Sequence, residues 1–578
     1  MDEFKPFPSM RFLWIYLSVV WLVLLIVRMS APSDLMDNDQ ERPAAYVLDC
    51  IQNGNWASQR DATGDVMSKP PFYTWLGAIL TWLFRGPSLW ALYLPGAIAV
   101  LLTVWLIFAF GSVFFGRDAG FLGALAYLLA TTTYKQLALA RTDPVLTFLV
   151  FLMALLVFHA WQSRKGWFWF WLVAALGTLT KGPLVLIFAL GGLWAVLWER
   201  RSRKNATLPA SGNEDAGGKA SILPAQLIGL LVFGVITGLW FWMAWLEDGQ
   251  DFIDKVIIKE LFGHAVDSAD KTDWYAFAQP LAWFLSRFAP WSLATCAAIW
   301  LLIKKPSNEG GVRCFERFLT AYLIFGFLIL SVGSHKRADL MFPLLPAAGL
   351  LAGRFLAHFM ALGERRILPA ISAVTLLFIV GLGAYSHIIR ARDEKVILTQ
   401  EAIALAEDIE EKVGSAFPLT HLDTPYAIQF FLRTMRPQIS FDQARELLTG
   451  EAAAFVFVKK AWRFQDRTGL QIADLHVLEK RLESEEEPWH IVSNHPRLEY
   501  APHVATILHG LRVDLYDAKI LRAYEEDFIV ELTQPAGEIA FRNISKETRR
   551  FQLTIRNDGD TKKQKIILAP GEETRMGS

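Results

Sequence analysis

The sequence contains about eleven apolar segments of the length that crosses a lipid bilayer, and all of them lie before residue 390. A helix needs about 20 apolar residues to cross ~30 Å of hydrocarbon. The segments lie at 12–29, 89–115, 120–138, 144–161, 166–180, 183–198, 222–246, 280–303, 317–333, 340–359 and 366–386. This pattern predicts a mainly α, polytopic membrane protein with about 11 spans, in the range of roughly 11–13. The apolar content of 53% and net charge of zero exclude a soluble enzyme, a disordered chain and charge-driven nucleic-acid binding.

Lysines and arginines in the short loops predict the orientation, because such residues collect on the cytoplasmic side. With eleven alternating spans, the basic loops share the cytoplasmic side with the polar linker 199–221. The segment 71–85 is short and Trp-rich and begins at two prolines, so it is interpreted as an interfacial helix in an outer loop, 30–88. The first apolar segment lacks a cleavage site and is predicted to be a retained anchor. The outer side then receives the loop 247–279 and the chain after about residue 390.

The chain after residue 390 has an ordinary soluble composition. Alternating strand-like and helix-like segments predict an α/β region over 391–515, and short strand-like segments with turns between them predict a β-rich module over 516–578. Residues 1–390 are the predicted membrane domain. The three cysteines lie far apart in the sequence and predict neither a disulfide framework nor a zinc site.

Charged residues at the outer membrane boundary are the most informative feature. An ionisable group at membrane depth costs roughly 2.5–3.5 kcal/mol, so it usually lines a cavity or a pathway. Cations on this side also run against the cytoplasmic bias of lysine and arginine. The candidates are the carboxylates of Asp39 and Asp143 and the side chains of Arg42, Lys69, Lys181, His264, Lys336 and Arg337. Together they predict an anion site that faces an acid/base group.

Six of these eight candidates also have a purely structural interpretation. Asp143 precedes Pro144, and Asp at the N-cap with proline after it is a common helix start. Solvated loop positions would account for Asp39 and His264, and Lys181 fits a lysine that extends from a helix end. Interfacial anchoring would account for Lys336 and Arg337. The combination favours a function, because every candidate falls on one side of the membrane.

Six short motifs occur in one order along the chain. They are DQER (Asp39 to Arg42), SKPPFYTW (Ser68 to Trp75), RTDP with Asp143, LTKGP with Lys181, APW with Trp291, and SHKRADLMFP with Lys336 and Pro343. Their order resembles the GT-C glycosyltransferases of the protein-mannosyltransferase and aminoarabinose-transferase type. The resemblance covers residues 1 to about 390.

The resemblance implies a GT-C-like helix bundle that catalyses an inverting sugar transfer on the outer face of a bacterial inner membrane. The donor would be a polyprenyl-phosphate sugar, and the acceptor a hydroxyl or phosphate of a lipid, glycan or protein. Asp39 is the implied general base, and Asp143 would orient the acceptor or the sugar. The implied donor-phosphate ligands are Lys69, Lys336, Arg337 and Arg42, with weaker substrate roles for Lys181, His264 and Tyr73. No cofactor is expected, and the chemistry does not require a metal.

The chain also departs from the pattern of this family. The departures are Gln40 in place of an acid, Ser68 in place of a glutamate, Tyr93 and His264 in place of arginines, and Leu340 in place of a tyrosine. These changes leave open a degenerate scaffold without activity. A transporter or flippase of a lipid-linked sugar would use the same cations, but it predicts repeats between the two halves of the chain, and none is visible.

Overall fold

The computed structural model describes residues 8–183, 185–205, 223–256, 258, 277–332, 336–362, 364, 366–413, 419–480, 488–496, 502–557 and 560–577. The chain forms two compact units. We call Met1–Ala31, Met67–Gly77 and Leu89–Ile389 the membrane unit. Pro32–Val66, Ala78–Ser88 and Arg390–Ser578 form the C-terminal unit.

The helices in chain order are α1 (Met10–Met29), α2 (Asn38–Gln52), α3 (Phe72–Leu83), α4 (Leu89–Phe115), α5 (Arg117–Leu128), α6 (Thr131–Gln136), α7 (Asp143–Ser163), α8 (Trp167–Lys181), α9 (Val185–Leu190), α10 (Trp194–Asn205), α11 (Leu223–Phe252), α12 (Gln279–Arg287), α13 (Trp291–Lys304), α14 (Gly310–Val332), α15 (Leu345–Leu356), α16 (Ile367–Ala384), α17 (Glu394–Val413), α18 (Tyr426–Phe431), α19 (Phe441–Leu448) and α20 (Ala461–Thr468). A 3-10 helix over Ala338–Leu344 leads directly into α15.

Seven helical stretches in the described part of the chain are long and apolar enough to cross a membrane. They coincide with seven of the predicted segments and begin at Met10, Leu89, Asp143, Leu223, Gly310, Ala338 and Ile367. The predicted segment 280–303 is instead a pair of helices, α12 and α13, bent by 115°. The other three predicted segments form shorter helices. For example, α8 has 15 residues, about 22 Å at 1.5 Å per residue.

Contacts between helix ends define two ends of the membrane unit. One end, here called the Asp143 end, joins the ends of α1, α6, α8, α12 and α16 through the pairs Arg28 with Ala138, Lys181 with Asp143, Thr131 with Arg287 and Ser386 with Tyr134. The opposite end, called the Glu199 end, joins α10, α14 and α15 through Glu199 with Arg313 and Arg317, and Arg354 with Glu316. The prediction of about eleven spans stays a prediction, since seven helices of the described chain, or eight with the bent pair α12 and α13, are long and apolar enough to cross a membrane.

Small residues bring α5 close to its neighbours. A Cβ on Gly111 of α4 would lie 2.6 Å from the Cα of Gly120 in α5, and one on Gly123 would lie 2.7 Å from the carbonyl oxygen of Gly349 in α15. Helices approach so closely within a membrane only where side chains are absent. These contacts fix α5 between α4 and α15.

The C-terminal unit contains three four-stranded sheets. Its strands are β1 (Leu419–His421), β2 (Phe455–Val458), β3 (His476–Lys480), β4 (Trp489–Ser493), β5 (His503–Leu508), β6 (Leu511–Tyr516), β7 (Ala518–Ala523), β8 (Asp527–Leu532), β9 (Glu538–Asn543), β10 (Arg549–Asn557), β11 (Asp560–Leu568) and β12 (Glu573–Gly577). The first sheet has the order β1-β2-β4-β3, with β1 and β2 parallel. The sheets β11-β10-β8-β7 and β12-β9-β6-β5 pack together through Phe528, Phe541 and Phe551.

Two predicted boundaries fall elsewhere in this unit. The boundary near 515 lies at the end of β6, and β5 and β6 belong to the same sheet as β9 and β12. The β-rich part therefore begins at His503, because its first hairpin supplies half of one sheet. Residues 32–66, part of the predicted outer loop 30–88 with interfacial helices, belong to this unit and contain α2.

Candidate functional site

Asp143 and Lys181 form an ion pair in the membrane unit. The Nζ of Lys181 donates to Oδ1 of Asp143 at 2.7 Å, and the two side chains are 25% and 13% exposed. Asp143 is the first residue of α7, while Lys181 is the last residue of α8. The two helices are antiparallel neighbours, so residues 38 positions apart meet at one end of the unit.

This pairing decides between two interpretations of Asp143. Thr142 occupies the N-cap position of α7, and no side-chain cap hydrogen bond is made there. The carboxylate is therefore bound to a lysine from the next helix rather than to the backbone of its own helix. Lys181 is likewise held within the protein instead of extending to water.

Lys69 and Arg141 add positive charge near this pair. Both act electrostatically on the carboxylate of Asp143, together with Lys181. Lys69 lies in the segment before α3 and is half-buried. Lys69 and Lys181 thus both lie within electrostatic range of the same carboxylate.

Four cations lie within 4.0 Å of a second carboxylate, that of Asp339, which was not predicted from the sequence. Arg141 Nη1 donates to its Oδ2 at 2.8 Å. The nitrogen atoms of Lys135, Arg287 and Arg337 lie 4.0, 3.9 and 3.9 Å from its carboxylate oxygens. Only Arg337 among these cations was a sequence candidate. The signal that was available is the charge itself, since Lys135 and Arg287 lie inside the apolar segments 120–138 and 280–303.

Lys336 precedes Arg337 and is half-buried. Its Nζ lies 5.0 Å from the centre of the Phe277 ring and has no hydrogen-bond partner among the described residues. An ammonium group in such surroundings is stabilised by the ring face, but it keeps its capacity to donate to an anion.

Asp39 and Arg42 lie on α2 in the C-terminal unit. Asp39 is half-buried, and its backbone N–H donates to Oδ1 of Asp37 at 3.4 Å. Arg42 is exposed, and its Nε lies 3.9 Å from Oδ2 of the buried Asp61. Glu41 faces inward and accepts from the N–H of Ala427, and burial raises the pKa of its carboxyl.

Contacts within the C-terminal unit fix α2. Arg390 forms an ion pair with Asp34, and Lys395 Nζ lies 3.3 Å from Oδ1 of Asp37. At the other end of α2, Nε2 of Gln52 donates to the carbonyl oxygen of Arg433 at 2.7 Å. The helix that contains Asp39 is therefore held by residues that follow the last apolar helix, although the two regions are more than 300 residues apart in sequence.

Two weaker candidates have different outcomes. Tyr73 is 1% exposed, and its hydroxyl donates to the carbonyl oxygen of Leu92 at 2.6 Å. This placement makes Tyr73 a packing residue that ties α3 to α4, and it does not support a substrate role. His264 lies outside the residues that the structure describes.

The departures from the family pattern also have clear places. Gln40 is fully buried and donates to the carbonyl oxygen of Asp34 at 2.9 Å, which is a structural role. Tyr93 is buried within electrostatic range of Arg28, a buried arginine at the end of α1. Arg28 of α1 thus places a cation within electrostatic range of the position in α4 at which the family pattern has an arginine. Ser68 and Leu340 are both half-buried.

No group of three or more His, Cys, Asp or Glu side chains suited to a metal ion occurs within the part of the chain that the structure describes. The carboxylates of Asp339 and Asp143 are paired with arginine and lysine instead. The chemistry that this donor set suits is the binding of an anion.

Comparisons with known proteins agree with this architecture. Residues 68–210 match the family of dolichyl-phosphate-mannose-protein mannosyltransferases. The structure of ArnT from Cupriavidus metallidurans bound to undecaprenyl phosphate matches with a TM-score of 0.63 at 17% identity, over 85% of this chain and 98% of that one. The apo form of the same protein matches with a TM-score of 0.61. This chain has the GT-C fold.

A sequence relative is also known. The undecaprenyl phosphate-alpha-4-amino-4-deoxy-L-arabinose arabinosyl transferase 2 of Pseudomonas fluorescens (strain Pf0-1) is 24% identical over 351 residues. The match spans 59% of this chain and 59% of the length of that relative. The predicted mainly helical membrane fold with a β-rich C-terminal region is confirmed, and the chain is an integral membrane protein.

Proposed function

We propose that this protein is an inverting glycosyltransferase that moves a sugar from a polyprenyl-phosphate donor to an acceptor hydroxyl or phosphate. The observation that carries the proposal is the set of cations around Asp143 and Asp339 at one end of an apolar helix bundle with the GT-C fold. The acceptor belongs to a lipid, a glycan or a protein. The relatives that match are named for transfers of this kind.

The cations suit the leaving group of this reaction. The acceptor oxygen attacks the anomeric carbon, the bond from that carbon to the phosphate oxygen breaks, and polyprenyl phosphate leaves with the electron pair. Charge then develops on the phosphate, and preorganised cations stabilise it in surroundings that exclude water. Lys69, Lys336, Arg337 and Arg42 are the proposed ligands of this phosphate, and Lys181 holds Asp143 in place.

A hydroxyl acceptor must also lose a proton. Asp39 is the proposed base, and Asp143 is proposed to orient the acceptor or the sugar. An acceptor that is already an ionised phosphate needs no base. The dependence of the rate on Asp39 therefore distinguishes the two kinds of acceptor.

The experiment measures sugar transfer and donor binding in parallel for Asp39→Asn and Asp143→Asn. Loss of a general base reduces the rate by a factor on the order of 100–10,000, while donor binding is kept. Full transfer activity of both variants with a hydroxyl acceptor would contradict the assignment. Wild-type protein that only translocates the lipid-linked sugar, and never transfers it, would establish a transporter.

We also propose an orientation of the chain in the membrane and a reaction that needs no metal ion. The Asp143 end and the C-terminal unit are proposed to face the periplasm or the exterior, and the Glu199 end the cytoplasm, because lysine and arginine collect there. Since lysine and arginine side chains supply the charge that a metal would otherwise supply, transfer is expected to be insensitive to EDTA. Loss of activity on chelation, restored by a divalent cation, would overturn this part.

A further inference from the structure

Three of the four cations around Asp339 have no individual role in the proposed function: Lys135, Arg141 and Arg287. The four come from separate segments of the membrane unit. Lys135 lies in the last turn of α6, and Arg141 lies in the loop before α7. Arg287 ends α12 at the 115° bend, and Arg337 precedes the 3-10 helix that contains Asp339. Four segments therefore deliver positive charge to one carboxylate.

The carboxylate of Asp339 forms one short ion pair and three long ones. Arg141 alone among the four reaches hydrogen-bond distance, at 2.8 Å, and the other three nitrogen atoms stay at 3.9–4.0 Å. The Oδ1 of Asp339 is buried and accepts no hydrogen bond from the described residues. The side chains of Lys135, Arg287 and Arg337 are 36%, 46% and 38% exposed, against 12% for Asp339. The cations therefore have an accessible side away from the carboxylate.

We propose that this cluster is a binding site for a phosphate group and that Asp339 is the resident anion with which the ligand competes. Arginine and lysine bind phosphate through charge-assisted hydrogen bonds, and a phosphate offers more acceptor oxygens than a carboxylate. Lys135, Arg287 and Arg337, which lie 3.9–4.0 Å from the carboxylate of Asp339, would reach hydrogen-bond distance of a phosphate bound at this site. The site deepens the proposed function and rests on it for the identity of the ligand.

The phosphate has two chemical sources in such a reaction. One is the polyprenyl phosphate of the donor, and the other is a phosphate on the acceptor. Competition separates them. If undecaprenyl phosphate displaces a short alkyl phosphate, the two ligands share the donor's site. If the short alkyl phosphate still binds in the presence of undecaprenyl phosphate, it occupies an acceptor site.

The test measures the dissociation constants of undecaprenyl phosphate and of a short alkyl phosphate on the full-length protein in detergent. The variants are Lys135→Ala, Arg287→Ala and Asp339→Asn. Arg200→Ala is the matched control, because Arg200 is an exposed arginine of α10 beside Glu199 at the opposite end. We expect Lys135→Ala and Arg287→Ala each to weaken binding of at least one ligand about tenfold, the scale of one charged hydrogen bond. Asp339→Asn should strengthen phosphate binding severalfold, because it removes the competing negative charge. Arg200→Ala should leave phosphate binding unchanged.

Unchanged affinity for both ligands in Lys135→Ala and Arg287→Ala would overturn the proposal. Weaker binding in Asp339→Asn, in a variant that unfolds at the wild-type temperature, would do the same, because it would make Asp339 a structural partner and not a competitor. Asp339→Glu keeps the negative charge and should bind as the wild type does. Transfer is assayed separately. Phosphate affinities that shift as expected without any transfer would sustain this site and defeat the proposed function, and the reverse result would defeat the site alone.

Discussion

At the scale of single residues, the Asp143–Lys181 pair fixes the position of the carboxylate that we propose to orient the acceptor or the sugar. Removing one member of a buried ion pair leaves a charge without its partner, which costs more than removing both members. We therefore expect Lys181→Ala to lower the thermal unfolding temperature more than the double variant Asp143→Asn, Lys181→Ala does. Thermal unfolding in detergent measures this, with Arg200→Ala as the control. A loss in the double variant equal to the sum of the losses in Lys181→Ala and Asp143→Asn, each measured alone, would indicate that the pair contributes no coupling energy.

Tyr73 tests the distinction between packing and substrate binding. Tyr73→Phe removes the hydroxyl that donates to Leu92 and leaves a buried carbonyl without this bond, at a cost of about 1–3 kcal/mol. The unfolding temperature should fall, while the KM for the lipid donor stays at the wild-type value. A raised KM with unchanged stability would return Tyr73 to the substrate site.

At the scale of elements, α2 depends on its contacts within the C-terminal unit. Arg390 and Asp34 form an ion pair whose side chains are 14% and 6% exposed. Breaking such a buried pair costs roughly 3–5 kcal/mol. We expect Arg390→Ala to increase hydrogen exchange of the amides over 34–52, and strand β8 to stay protected. The control is Arg522→Ala, which breaks the exposed pair with Asp527 in the same unit. Equal exchange of residues 34–52 in Arg390→Ala and the wild type would show that this pair does not hold α2.

The same helix contains a carboxyl group that links its stability to pH. Burial raises the pKa of Asp49 to about 6, although Asn53, Asn55 and the N–H of Arg60 donate to it. Between about pH 4 and 6 the folded protein holds a proton that the unfolded chain has released, so stability falls as the pH rises through this window. The shift corresponds to roughly 3 kcal/mol.

Asp49→Asn removes this titration. The denaturation midpoint of the full-length wild type should decrease between pH 4 and 6, and that of Asp49→Asn should decrease less. The difference between the two proteins is the quantity to measure, because other groups titrate in both. Parallel pH profiles would exclude Asp49 as the cause.

At the scale of the whole molecule, the alternation of helix ends predicts the sidedness of the chain. Arg117, Arg313, Arg317 and Arg354 all lie at the Glu199 end, and the chain after residue 390 follows α16 from the Asp143 end. With the Glu199 end in the cytoplasm, protease added to right-side-out vesicles should remove residues after about 390 and leave the segment 199–221 intact. Protection of the C-terminal residues would reverse the orientation.

The sequence by itself determined the class of the molecule and part of its site. Long apolar segments must enter a bilayer, so their order predicted the helix bundle, and several of the cations that were predicted to face outward lie at the Asp143 end. Asp143, Lys181 and Lys69 were all selected from sequence, since charge next to apolar segments is costly and therefore informative.

Only the tertiary structure decided which charges meet. Arg141 and Asp339 are 198 residues apart, and their contact depends on the positions of α6, α7 and α12 and on the 3-10 helix before α15. Apolar helix faces are nearly uniform in hydrophobicity, so the sequence pattern does not say which helices pack together; close contacts such as those of Gly111 and Gly123 decide it. For the same reason the burial of Tyr73 and the attachment of α2 to the chain after residue 390 were not predictable, because both depend on contacts between segments far apart in sequence.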